Sequence, residues 1–422
     1  MSSAESHVVV GASAAGVSAA FAIRRAGATG PVMIVDADPN PPYERPPLSK
    51  PSPQGAGSEL APVGRGPAAL RPIRPAPDYA DAGIELLLGS AVAEIEPGAS
   101  VHLTDGTALQ ADRVVLTTGV RARRLTVPGA DLDNVLVLRD AADAAALAAR
   151  LAAGGPLVVV GGGFIGLELA AVALEQGILP TVVEMAPLPL LGAVGRPVAE
   201  LVHRRHHDRG VQLVLGTTVA RFVGRDAVEE VVLADGRRLP AATVVVGVGV
   251  EPRSELAAKA GLETDRAGVV VDRHGRTSHP QVWAAGDIAS QPHPALAERG
   301  RIEHWDAALR HGDAVGASAA GVPTAFTDPP YAWSDQFGTT YQILGRRHPG
   351  DTVVLREDSG PERLLACWLR DGRLVAALGL DAGREIGALR RLIGSAPAIP
   401  AHLLADPATD LRRLAKELRT AG

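Results

Sequence analysis

An internal repeat constrains this chain more than any other feature. VVVGASAAGVSAAFAIRRAG begins at Val8 and VVVGGGFIGLELAAVALEQG at Val158, so that Gly11 and Gly161, Gly16 and Gly166, Ala20 and Ala170, and Gly27 and Gly177 all stand 150 positions apart. Each copy reads as an apolar β run, a glycine turn, an alanine-rich helix and a second β run ending in an acid, Asp36 or Glu184. A second pair of tracts follows: TDGTALQADRVVLTTG ends at Gly119 and ADGRRLPAATVVVGVG at Gly249, with Asp-Gly turns at Asp105-Gly106 and Asp235-Gly236. Two whole domains are therefore repeated, and the chain is expected to be α/β with two Rossmann-like units.

The first copy is the longer by 20 residues between its outer glycines. The extra length is placed between Pro39 and Pro77, a stretch holding 12 of the 33 prolines, where missing backbone donors and fixed φ predict irregular loop. Lys50, one of only three lysines, ends the segment YERPPLSK on this arm. From about Thr327, LLACWLRDGRLVAALGL predicts a hairpin around Asp371-Gly372, with helical patterns over 385–393 and 410–418. This last region reads as a small α+β domain.

The glycine turns carry the first chemistry. GGGFIG offers Gly161, Gly163, Phe164, Ile165 and Gly166 between strand and helix, where glycines let the backbone approach a pyrophosphate that the helix N-terminus stabilises. Glu184 would accept from the ribose hydroxyls, and with no arginine between it and Arg196 a free 2′-hydroxyl is favoured over a 2′-phosphate, NADH over NADPH. In GASAAG the corresponding residues are Gly11, Ala15, Gly16 and the acid Asp36, while Ser13 stands where the pattern has a glycine and is expected to crowd a pyrophosphate. The alternatives are a plain turn and a purely structural Rossmann unit. In WAAGDIA, Gly286-Asp287 follows an apolar run and precedes an expected helix, and Asp287 could accept from ribityl hydroxyls or simply close a turn.

Composition excludes several classes. With 46% hydrophobic and 21% charged residues and a net charge of −5, the chain is an ordinary globular one without the basic field of a nucleic-acid binder. No export signal or long apolar span is visible, which makes cytoplasm the expectation, with no membrane partner. Cys367 is the single cysteine, excluding an intrachain disulfide, a CxxC pair or a cysteine-built cluster; it reads as a buried structural thiol. HRRHHDR, from His203 to Arg209, reads as a solvated helix face, and no metal is expected.

VVVGASAAG, PYERPPLSK, LTTG, GGGFIGLE, AAGD, EHWDAA and AWSDQ occur here in the order found in oxygenase-coupled, NADH-dependent ferredoxin reductases, and the chain resembles that family over nearly its whole length. The resemblance implies an FAD-binding domain over 1–118 and 242–326, an inserted NAD-binding domain over 119–241, and the C-terminal α+β domain over 327–422, helping to cover the flavin. It implies FAD on the first copy, with Arg45, Thr118, Gly119, Arg124, Glu303, His304, Trp305 and Trp333 added to its contacts, and NADH on the second, with Gly249 added. It also places Lys50 beside flavin N5, paired with Glu168, where a fixed cation favours negative charge on reduced flavin. Lacking a cysteine pair, reduced flavin would pass single electrons directly to an acidic 2Fe–2S ferredoxin feeding a haem monooxygenase or ring-hydroxylating oxygenase. Arginines 65, 71, 74, 310, 346 and 347 could dock it, with the reductase a monomer or weak dimer. Rubredoxin, a quinone or oxygen as acceptor, an apoptosis-inducing-factor-like redox sensor and a degenerate binding module remain open.

Overall fold

The computed structural model describes residues 4–50, 70–356, 363–393 and 398–420. They fall into two compact units, the first formed by residues 4–45, 71–121 and 251–332, the second by 46–50, 70, 122–250 and those from 333 onward.

The first unit is built on a parallel sheet in the order Val282–Ala284, Arg113–Leu116, His7–Val10, Val32–Asp36, Ile84–Leu88. Its central strand is buried throughout, as expected of a parallel sheet covered on both faces. Helix Ala14–Arg25 covers one face, and its alanines let helix Trp305–Ala319 approach backbone to backbone: a Cβ at Gly312 would fall 2.2 Å from the Ala15 carbonyl oxygen.

The second unit repeats the plan in register. Its parallel sheet runs Gln212–Leu215, Pro180–Glu184, Leu157–Val160, Thr243–Val246, Val135–Leu136. Leu157 pairs with Pro180 and Thr243 just as His7 pairs with Val32 and Arg113. Each copy also carries a three-stranded antiparallel sheet, Val92–Glu96, Ser100–Leu103 and Ala108–Gln110 in the first, Val219–Gly224, Val228–Leu233 and Arg238–Pro240 in the second. The C-terminal region adds a five-stranded sheet in the order Tyr331–Gln336, Thr339–Gly345, Arg373–Leu380, Leu364–Arg370, Thr352–Arg356. Its hairpin turns at Asp371 and Gly372, whose φ of 51° and 74° suit a two-residue loop. The fold class is the one the sequence predicts: two Rossmann-like domains with an α+β C-terminal region.

Two divisions differ from expectation. Thr243–Val246 hydrogen-bonds to the central strand Leu157–Val160, so the second unit runs to Val250 rather than stopping at 241. The C-terminal sheet also shares a core with the second copy: Leu167, Val194, Val198 and Val202 pack with Tyr341, Trp368 and Leu378. Helix Leu191–Asp208 supplies most of that face, because its apolar residues recur at helical spacing.

The same helix corrects the reading of HRRHHDR. Arg205 and His206 are buried, Arg205 donating to Thr339 Oγ1 at 2.7 Å and His206 lying edge-on to Phe337 with ring centroids 5.0 Å apart. No group of metal-ligating side chains occurs among the described residues. Burial pushes His206 down to about 4. Between pH 6.5 and 4 the unfolded chain therefore binds a proton that the folded chain refuses, and stability falls as pH falls through this window. Urea unfolding from pH 7 to 4.5 should show His206→Leu flattening that slope by about 1.4 kcal/mol per pH unit; a parallel slope contradicts the assignment.

Candidate functional site

The two glycine turns have closely similar geometry. Gly11 and Gly161 take φ of 114° and 113°, and each N–H donates at 2.8 Å to the carbonyl of the next strand, Val35 or Val183. A Cβ at Gly16 would fall 1.8 Å from the Gly11 carbonyl oxygen, and one at Gly166 2.1 Å from that of Gly161, so no larger residue lets helix and turn close. The acids also correspond: Asp36 Oδ2 accepts from the Ala12 N–H at 2.5 Å, and Glu184 Oε2 from the Gly162 N–H at 2.6 Å. Both carboxylates thus stand at the turn where a ribose would meet the chain.

The cradle fits a dinucleotide. A Cβ added at Gly163 would meet nothing within 4 Å, and neither Ser13 nor Gly163 caps its helix with a side chain. The first N–H groups of helices Ala14–Arg25 and Phe164–Glu175 are those a pyrophosphate would take. Ile165 is 45% exposed at the second helix start. Ser13 proves compatible with the turn: its φ of −99° and ψ of −166° are extended, close to the −79° and −177° of Gly163, and its Oγ accepts from Arg45 Nε at 3.2 Å.

Around the first turn, Thr118 Oγ1 donates to the Arg253 carbonyl at 3.3 Å, and Gly119 takes a φ of 64°. Thr117, which sequence reasoning missed, donates through Oγ1 to the Gly11 carbonyl at 3.0 Å; the first threonine of LTTG was its only signal. Gly286–Ile288 forms a single 3-10 turn followed by the short strand Ala289–Ser290, not the expected helix. His304 is the N-cap of helix Trp305–Ala319, Trp305 is its half-buried first residue, and Glu303 accepts from Arg301 Nε at 2.8 Å. Arg124 instead belongs to the second unit, beside Asp143. Trp333 is also there, half-buried, as is Gly249, whose carbonyl accepts from the Arg123 N–H at 3.0 Å.

The proline arm delivers Lys50. Pro46–Ser49 forms a 3-10 turn whose φ proline pre-sets, and the Lys50 N–H donates to the Pro47 carbonyl at 3.2 Å. This turn brings Ser49 and Lys50 onto Glu168, which is 3% exposed on helix Phe164–Glu175. Lys50 Nζ donates to Glu168 Oε1, Ser49 Oγ to Oε2, and Ser334 Oγ to Oε1 at 2.6 Å, while the Asp335 carboxylate lies 3.7 Å from Lys50 Nζ. Gln336 Nε2 donates to Ser334 Oγ at 2.9 Å, extending the network. Burial raises the Glu168 carboxyl, against the opposing pull of Lys50 and the hydroxyls. The pair was foreseen, but Ser49, Ser334, Asp335 and Gln336 were not, although LSK and WSDQ contain all four.

Cys367 is buried and its thiol pushed up to about 12, so it stays protonated and unreactive. Of the suggested docking arginines, Arg65 lies outside the described residues, Arg310 pairs with Asp306 and Asp328, and Arg347 is tied to the Gly192 carbonyl. Arg71, Arg74 and Arg346 are exposed.

Residues 5–312 match the pyridine nucleotide-disulphide oxidoreductase family and residues 331–415 the reductase C-terminal domain. The ferredoxin reductase component of chlorobenzene dioxygenase from Cupriavidus sp. (strain PS12) is 36% identical, covering 97% of each chain. A crystal structure of a ferredoxin reductase from Rhodopseudomonas palustris superposes with a TM-score of 0.91 at 32% identity, over 97% of this chain and 100% of the other. The covalent putidaredoxin reductase–putidaredoxin complex gives 0.90 at 31%, over 98% and 99%. The chain belongs to the pyridine nucleotide-disulphide oxidoreductase family, in its putidaredoxin-reductase-like branch of FAD-containing, NADH-using oxidoreductases. Among the described residues no helix is long and apolar enough to cross a membrane.

Proposed function

We propose that this protein is a ferredoxin reductase, taking a hydride from NADH onto FAD and passing single electrons to a 2Fe–2S ferredoxin that serves an oxygenase. One observation carries the reading: the only thiol of the chain, Cys367, is buried and protonated, so the disulfide relay in the family's name has no counterpart here. Bound FAD supplies the conversion between two-electron and one-electron chemistry. In this reading the first copy holds it through the Gly11–Gly16 turn, Asp36, Arg45, Thr118, Gly119, Asp287 and residues 303–305. The second copy holds NADH through the Gly161–Gly166 turn, Glu184 and Gly249. Lys50, oriented by Glu168, favours negative charge on the reduced cofactor.

The finer assignments belong to the same proposal: an acidic ferredoxin meeting exposed arginines such as Arg71, Arg74 and Arg346, a monomer or weak dimer, and a cytoplasmic setting. Cys367→Ala should reduce ferredoxin with NADH within about twofold of the native rate. A loss of tenfold or more at unchanged flavin content would restore a thiol to the pathway and defeat the reading.

A further inference from the structure

The turn that presents Asp287 depends on a residue outside the flavin motifs. Gly286 has a φ of 75°, and a Cβ there would fall 2.8 Å from the Ala15 Cβ, so the turn is pressed against the helix that begins at the first glycine turn. Its N–H is buried and needs an acceptor within the protein. Neither strand nor helix supplies one; His311 does, its Nδ1 accepting from Gly286 N at 3.1 Å.

We infer that His311 is a positioning residue that holds the Gly286–Asp287 turn ready for flavin. The inference rests on the first copy being the FAD site. His311 lies on helix Trp305–Ala319, whose N-terminal residues are themselves candidate flavin contacts. One imidazole thus fastens the Asp287 turn to that helix, while Gly312, the next residue, seats the helix against Ala15.

The ring's surroundings fix its state. Gln291 Nε2 lies 3.3 Å from the same Nδ1, so with the Gly286 N–H two donors converge on it and the proton belongs on Nε2. The ring stacks on Phe326 with centroids 5.5 Å apart, and the His293 ring also packs on Phe326, 4.8 Å between centroids. Burial, with a smaller push from His293, lowers His311 to about 3, which keeps Nδ1 an acceptor across the working pH range.

The test is FAD binding to apoprotein, followed by flavin fluorescence, for native protein, His311→Leu and His311→Asn. Leucine removes the acceptor, and its dissociation constant should rise about tenfold or more, the effect of orphaning one buried donor. Asparagine can place Oδ1 where Nδ1 was and should stay within about threefold of native. NADH binding to the same apoproteins, read separately, should be unchanged, showing that the second unit is folded. Leucine binding FAD as tightly as native, or asparagine failing as badly as leucine, overturns the inference. Native apoprotein that takes up no FAD overturns the flavin reading of the first copy itself, and this inference with it.

Discussion

Replacing Glu168 with alanine should slow NADH-dependent flavin reduction about a hundredfold and lower the melting temperature by roughly 6–12 °C. The stability loss follows from burial. Glu168 and Lys50 are both largely withdrawn from water, and removing one partner leaves a buried charge uncompensated, which costs about 3–5 kcal/mol. Two hydroxyls, Ser49 and Ser334, lose their acceptor at the same time. The rate loss follows from position: a cation fixed before the hydride arrives contributes more than one that must be oriented during transfer. Lys50→Met makes the converse case. With the ammonium gone, only the Ser49 and Ser334 hydroxyls still oppose burial, and the Glu168 carboxyl rises further. A raised carboxyl favours the folded state at low pH and that contribution is lost as pH rises through it, so this variant's deficit relative to native should be smaller at pH 5 than at pH 8. Differential scanning calorimetry at the two pH values and stopped-flow reduction test both. Native-like melting and reduction in Glu168→Ala would make the pair a bystander.

The second large effect separates the two copies. Gly16→Ala should yield colourless protein, with FAD affinity reduced a hundredfold or more, because its Cβ would lie 1.8 Å from a backbone carbonyl and force the turn open. Gly166→Ala meets the Gly161 carbonyl oxygen at 2.1 Å and should purify yellow, with KM for NADH raised at least tenfold. The flavin spectrum of each variant and its NADH saturation curve are the measurements. Yellow Gly16→Ala with normal flavin content, or Gly166→Ala with an unchanged KM, would undo the assignment of nucleotides to copies.

Much of this was legible in the sequence, for identifiable reasons. Short-range patterns survive well: the paired β runs, glycine turns and closing acids 150 positions apart became sheets with the same register. The Asp371-Gly372 hairpin and the buried Cys367 also stand as read. What depends on long-range packing was not legible. The repeat carries VVVGVG into the second copy while the 119–241 bounds leave it out, and pairing with a strand more than eighty residues earlier decides for the repeat. Arg205 and His206 are buried because the C-terminal sheet packs on their helix, and a charged run carries no sign of that. Ser334 bonds Glu168 across 166 residues of sequence, with Gln336 donating to Ser334 behind it, and both are visible only as letters of a motif. His311 gave no signal, since its partner is a backbone N–H.

The decisive experiment is anaerobic mixing of purified protein with NADH, and separately with NADPH, following flavin absorbance before and after adding a 2Fe–2S ferredoxin. NADH should bleach the flavin rapidly and NADPH far more slowly, because Glu184 repels a 2′-phosphate, and the flavin band should return as two equivalents of ferredoxin are reduced. Bleaching that ferredoxin does not reverse would contradict the ferredoxin reductase reading.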